Sequence, residues 1–169
     1  VGDELDGIET TADGRDRAQS MAQLEWLEEA YPEPPLLPPA IEDRFTAREL
    51  AYAIATETHA VNNLQVLKYL KDNFGRSQDE IDSWYRHWLM RTFAPVEARL
   101  AQLGSGDFLF DRPGLFEVVL LPQLYNARRF ALDLAPYPRI LQIEAACLAL
   151  PEFQQAHPDN QIDNPERSS

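Results

Sequence analysis

Apolar residues recur at three- and four-residue spacing through Leu50, Ile54, Val61, Leu64 and Leu67, which predicts one long helix beginning near Arg48 with this stripe facing a core. Beside it runs a polar stripe. His59, Asn62 and Asn63 stand at i, i+3 and i+4, so on a regular helix their side chains emerge within one turn and can line one wall of a cleft. Spacing alone favours the plainer reading, hydrogen-bonded amides of a helix surface or core.

The punctuation around that stretch predicts the neighbouring elements. Thr46-Ala-Arg-Glu49 reads as a capping box opening the long helix, and Gly75 as its stop. Ser77-Gln-Asp-Glu80 is a second box. It opens a helix through Ile81, Trp84, Trp88, Phe93, Val96 and Leu100 to Gly104, kinked at Pro95, so the two helices form an antiparallel hairpin. After a loop over 107–113, the apolar run Leu115, Phe116, Val118 to Leu121 predicts a central buried helix over 115–134, bent at Pro122. Pro138 suits the first turn of a further helix through Ile140, Ile143, Ala146, Cys147 and Leu150, followed by a short turn near Phe153 and a polar tail over 158–169.

Upstream, residues 1–18 carry six acids, two bases and three glycines, weak strand material at best. Ser20 can cap a helix bearing Met21, Leu24 and Leu27. Five prolines between Tyr31 and Ile41 make a stiff extended connector, and a module boundary is expected there. The fold class expected is all-α.

Charge narrows the functions. Acids outnumber bases 28 to 15, a net charge of −13, which argues against nucleic acid because phosphate binding needs clustered Lys and Arg. Cys147, the one cysteine, sits in an apolar helical pattern and reads as a structural thiol in a reducing compartment. His59, His87 and His157 are far apart with no metal-ligand spacing. No apolar run approaches the roughly 20 residues that a membrane span needs. A cytoplasmic protein is expected.

Several stretches together resemble the zeta-class glutathione transferases, the family of maleylacetoacetate and maleylpyruvate isomerases. They are Gln19-Ser20-Met-Ala-Gln-Leu-Glu-Trp-Leu-Glu-Glu, Tyr31-Pro-Glu-Pro-Pro-Leu-Leu-Pro, His59-Ala-Val-Asn-Asn-Leu, Leu121-Pro-Gln-Leu-Tyr-Asn-Ala-Arg-Arg-Phe130, Tyr137-Pro-Arg-Ile and Phe153-Gln-Gln-Ala-His-Pro158. The resemblance implies a C-terminal glutathione-transferase helical bundle over 42–157. It makes residues 1–30 a remnant of a thioredoxin-like domain, its last helix at about 19–30, and 31–41 the linker. It implies glutathione as cofactor, held at Gln19, Ser20, His59, Asn63, Leu64 and Gln65, with Asn62 and Arg129 facing a dicarboxylic substrate. For Arg129 the plain alternative is a solvated ion pair at a helix end.

Four departures set further expectations. The family's Ser-Ser-x-x-x-Arg motif and a Val-Pro pair before Gln19 have no match in the sequence, and Asn-Asn-Leu-Arg is Asn62-Asn63-Leu64-Gln65 here. No catalytic residue is therefore assigned. This chain alone is expected neither to isomerise maleyl diacids nor to bind glutathione more tightly than the millimolar region. Gly114-Leu-Phe-Glu117 stands where the family carries a hydroxyl cap, a loss on the order of 1 kcal/mol or less.

Two other functions compete. One is a non-catalytic dimerisation or partner-binding module of glutathione-transferase type. The other is a carrier of apolar ligands with Trp84, Tyr85 and Trp88 as walls, although large aromatics at this spacing are more often core. The resemblance also implies a homodimer through the 48–70 helix, with no nucleic acid or membrane partner.

Overall fold

The computed structural model describes residues 9, 10 and 14–160. Residues 161–169 of the expected tail, and 1–8 and 11–13 of the acidic segment, lie outside the described residues. Glu9–Thr10 (β1) and Asp16–Arg17 (β2) pair antiparallel, the only sheet among the described residues. All else is helix and connection, in the order α1 (Ser20–Ala30), α2 (Ile41–Ile54), a π-helical turn (Ala55–His59), α3 (Leu64–Phe74), α4 (Gln78–Leu103), α5 (Leu115–Arg129), α6 (Pro138–Leu148) and α7 (Pro151–Ala156).

The segment 48–70 is not one helix, which corrects the sequence reading at both ends. Helix α2 starts at Ile41, just past the prolines, with Glu42 and Asp43 in its first turn where negative charge complements the free N–H groups. Thr46 lies inside it, its hydroxyl donating to the Glu42 carbonyl at 3.1 Å. At the other end the wider π-helical turn shifts the side-chain phase. The Asn62 amide then turns inward to donate to the Tyr85 carbonyl at 3.2 Å, and Asn63 caps α3 by accepting from the Gln65 N–H at 2.8 Å. Both asparagines thus offer the backbone an alternative to helix. Leu64, expected in the buried stripe, is 64% exposed.

Helix α4 follows its signals closely. Ser77 and Glu80 exchange both capping-box bonds, Glu80 N–H to Ser77 Oγ at 3.3 Å and Ser77 N–H to Glu80 Oε2 at 2.9 Å, and Gly104 ends the helix. Its buried face of Tyr85, Leu89, Phe93, Val96 and Leu100 meets Phe116, Leu120 and Leu124 of α5 and Ile140 and Ile143 of α6 in one core. Each such side chain contributes about 1.5–3 kcal/mol on burial. Helix α5 is central as expected but ends at Arg129, five residues early, where Ala131 adopts φ 52°. Pro138 occupies the first turn of α6, whose Arg139 and Ile140 N–H groups donate to the Glu97 carboxylate of α4 at 2.8 and 2.9 Å.

The proline-rich connector is clamped. Glu28 of α1 accepts from the Leu36 N–H at 2.7 Å and the Leu37 N–H at 3.3 Å, and Leu37 is buried with Ala47, Ala51 and Leu115 beneath Met21 and Leu24. The Leu36 carbonyl accepts from the Leu115 N–H at 2.8 Å. A side chain at Gly114 would put Cβ 2.5 Å from that same oxygen, so glycine is what lets the connector cap α5. Glu117 completes the cap, accepting from the Gly114 N–H at 2.9 Å and the Leu109 N–H at 2.7 Å. Burial pushes its carboxyl above the usual range despite these bonds.

Candidate functional site

A hollow of about 450 Å³ lies between α1, the π-helical turn and α5, within the range of roughly 300–1,000 Å³ common for small-molecule sites. Ser20 lines it at the start of α1. The first turn of α1 has no side-chain cap and no acidic residue, so its N–H groups and positive dipole end suit a carboxylate. Gln19, just before, holds φ 70°, a left-handed conformation that L residues adopt only under constraint. Gln23 donates to the Arg17 carbonyl at 2.7 Å, and the Arg17 guanidinium lies 3.9 Å from the centre of the Trp26 ring, so the cation is held against the wall of the hollow.

Across from α1, the π-helical turn brings His59 to the hollow, and α5 supplies Val118, Pro122, Gln123 and Asn126. Gln123 Nε2 lies 3.0 Å from His59 Nδ1. The sequence reading missed Arg17, Gln23, Gln123 and Asn126. For Gln123 a signal existed: it falls within the buried stripe of Leu120, Leu124 and Ala127, where a polar residue needs a partner.

Of the residues singled out from the sequence, the structure brings Ser20 and His59 together. Gln19 adjoins Ser20 but does not line the hollow. Asn62 is buried against α4, Asn63 caps α3, and Leu64 and Gln65 are exposed beside it. Arg129 is exposed at the end of α5, on the side of Tyr85. Its neighbour Arg128 instead lines a second hollow of about 590 Å³ and makes a two-point pair with Glu144, one contact at 2.6 Å. That carboxylate holds the guanidinium even more firmly protonated. Val118 and Pro122 belong to both hollows, so α5 presents an apolar ridge between them.

Trp84 and Tyr85 belong to the packing of the bundle: Tyr85 stacks on Phe130 at 3.7 Å between ring centres, and Trp84 Nε1 donates to the Val61 carbonyl at 3.1 Å; Trp88, edge-on to Trp84, lines a hollow of about 370 Å³ between α2 and α4. The Cys147 thiol is buried and pushed up to about 12, first by burial and then by Glu117 and Glu144, so it stays protonated and unreactive. Among the described residues no group of three His, Cys, Asp or Glu side chains could hold a metal ion, and no helix is long and apolar enough to cross a membrane.

No protein-family model matches the chain. Known proteins do. The maleylpyruvate isomerase of a Ralstonia species is 41% identical over 148 residues, covering 86% of this chain and 70% of that protein. Curated relatives are spanned over about two thirds of their length. The crystal structure of maleylpyruvate isomerase from Pseudomonas aeruginosa superposes with a TM-score of 0.88 at 41% identity, over 93% of this chain and 83% of that one. Maleylacetoacetate isomerase from Anaeromyxobacter dehalogenans, solved with dicarboxyethyl glutathione and citrate bound, superposes with a TM-score of 0.83 at 44% identity, over 92% of this chain and 72% of that one. On this identity and coverage, the chain belongs to the maleylacetoacetate and maleylpyruvate isomerase family, the zeta class of glutathione transferases.

Proposed function

We propose that this chain serves a glutathione-dependent cis–trans isomerase of maleyl-type diacids. The observation that carries the reading is the single hollow joining Ser20, at the uncapped start of α1, to His59. The donor set fits a tripeptide with two carboxylates, and a relative binds a dicarboxyethyl derivative of glutathione. Glutathione, when bound, supplies a thiolate that adds to the conjugated double bond and leaves after rotation about the resulting single bond, with no net gain or loss of atoms or electrons.

This chain's residues would bind and orient. The first-turn N–H groups of α1 and the Ser20 hydroxyl hold a carboxylate. His59 offers a second donor, and Arg17, fixed on Trp26, is the cation nearest to hand. Asn62 is buried away from the hollow, its amide nitrogen donating to the Tyr85 carbonyl, and Asn63 and Gln65 act through the α3 cap. Arg129 would reach substrate only from outside the hollow. Residues 1–30 correspond to the end of a thioredoxin-like domain, 31–41 to the connector and 42–157 to the helical domain. The lone buried thiol suits the cytoplasm.

Calorimetric titration with glutathione, and the absorbance change of maleylpyruvate on adding protein and glutathione, test the reading. Absence of both saturable binding and turnover in the product of the whole gene would overturn it.

A second reading, a dimerisation module, is favoured by one observation and is compatible with the first. Ile41, Phe45 and Tyr52 form an exposed stripe along one side of α2. Beside it, Glu49 and Glu57 of α2 and its π-helical turn face Arg91 and Arg99 of α4 across a hollow of about 370 Å³, and Arg99 Nε pairs with Glu49 Oε2 at 3.4 Å within the chain. We infer a homodimer through α2 and α4, in place of a continuous 48–70 helix. Light scattering that gives a monomer mass at tens of micromolar would exclude it.

A further inference from the structure

One buried polar group has no role in binding as described so far. Gln123 sits among Leu120, Leu124 and Ala127 on the inner face of α5 and is 4% exposed. Its Nε2 contacts His59 Nδ1 at 3.0 Å, and its Oε1 is buried with no partner. An unmatched buried acceptor destabilises a fold more than one neutral hydrogen bond to an exposed ring returns. Packing would be served as well by Leu or Met at this position. What the glutamine adds is control of the ring.

Whichever end of the Gln123 amide faces the ring selects the tautomer of the neutral imidazole: the oxygen accepts from an Nδ1–H, whereas the nitrogen, placed here at 3.0 Å, donates to Nδ1 and leaves the single proton on Nε2. Because Nδ1 turns to a buried amide of α5 while His59 is exposed, the opposite Nε2 edge is turned away from that amide, on the side of the hollow that faces Ser20. The ring is also held at the end of the π-helical turn, where one irregular turn sets its direction. We propose that Gln123 is a positioning residue: it fixes the orientation and the Nε2–H tautomer of His59, so that this donor is presented to a carboxylate bound in the hollow. The identity of that carboxylate, an end group of glutathione, rests on the proposed function. The tautomer does not.

The test separates the two. Two-bond nitrogen–proton correlation spectra of the ¹⁵N-labelled protein read the His59 tautomer with no ligand present, and calorimetry reads affinity for S-methylglutathione. In the natural protein, neutral His59 is expected as Nε2–H. Gln123→Met, which keeps the buried volume, should give a mixture of tautomers and weaken S-methylglutathione binding about five- to tenfold, the size expected for one misplaced hydrogen bond. Gln123→Glu, an acceptor only, should reverse the tautomer to Nδ1–H. In a His59→Phe background, Gln123→Met should cause no further loss of affinity. An Nδ1–H tautomer in the natural protein, or a Gln123→Met variant with unchanged tautomer and affinity, overturns the proposal. If the variants shift the tautomer as expected but neither they nor the natural protein bind S-methylglutathione, the positioning role stands and the glutathione reading falls.

Discussion

Glu25 of α1 and Arg48 of α2 form a two-point pair, Nε to Oε1 and Nη2 to Oε2, each at 2.8 Å. It joins the helix that begins at Ser20 to the bundle that carries His59, so the pair helps set the width of the hollow between them. The planar guanidinium matches both carboxylate oxygens at once, which a lysine cannot do.

The Arg48 guanidinium holds the Glu25 carboxyl below its ordinary value of 4.5. A group whose folded value is depressed contributes stability that is present above the unfolded value and lost as pH falls through the folded one. Docking of α1 should therefore loosen below about pH 4.5. Hydrogen exchange of α1 amides should speed up in acid in the natural protein, and be fast already at neutral pH in Glu25→Gln. Equal protection of α1 in both proteins at pH 7 would contradict the prediction.

Gly114→Ser tests whether glycine stands there for want of a cap or for room. As a cap alone, serine would be a few tenths of a kcal/mol better than glycine. The Leu36 carbonyl oxygen, 2.5 Å from the added Cβ, must instead move away, and with it goes the 2.8 Å bond from the Leu115 N–H. The expected outcome is a loss of about 1–3 kcal/mol in denaturant titration. A gain in stability would show that the connector yields without cost.

Glu117→Gln should change how stability depends on pH. Burial raises the Glu117 carboxyl, so its contribution is complete below the ordinary value of 4.5 and declines as pH rises through the folded value. Glutamine does not titrate, and its amide nitrogen would face one of the two N–H donors. The variant should be less stable by about 1–3 kcal/mol in weak acid. The gap to the natural protein should narrow toward pH 8, as read from denaturant midpoints.

Gln19→Gly should relax the backbone at φ 70°, a strain worth on the order of 1–3 kcal/mol at a non-glycine residue. The offsetting entropy loss of glycine is about 0.5–1 kcal/mol, so a small net gain in melting temperature is expected. If the strained turn serves to aim the start of α1, glutathione affinity should fall in the same variant. Unchanged affinity with raised stability would make the strain incidental.

What was legible in the chain were features that depend on residues within a turn or two of each other. The Ser77–Glu80 box, the stop at Gly104, Pro138 in the first turn of α6 and the apolar entry of α5 are of this kind, because a cap or an amphipathic stripe is decided by neighbours three or four positions away. Likeness to a family brought Ser20 and His59 forward, and their common hollow is where that likeness and the geometry meet. The break after Ile54 was not legible. It accompanies the bond from Asn62 to the Tyr85 carbonyl, 23 positions on, and the His59 ring answers to Gln123, 64 positions on. Gly114 likewise read as a missing cap because Leu36, whose carbonyl it accommodates, is distant in sequence. Period and propensity carry no information about such pairings. They exist only once packing has brought the partners within hydrogen-bond reach, and there a buried amide without a partner costs more than a regular helix interrupted.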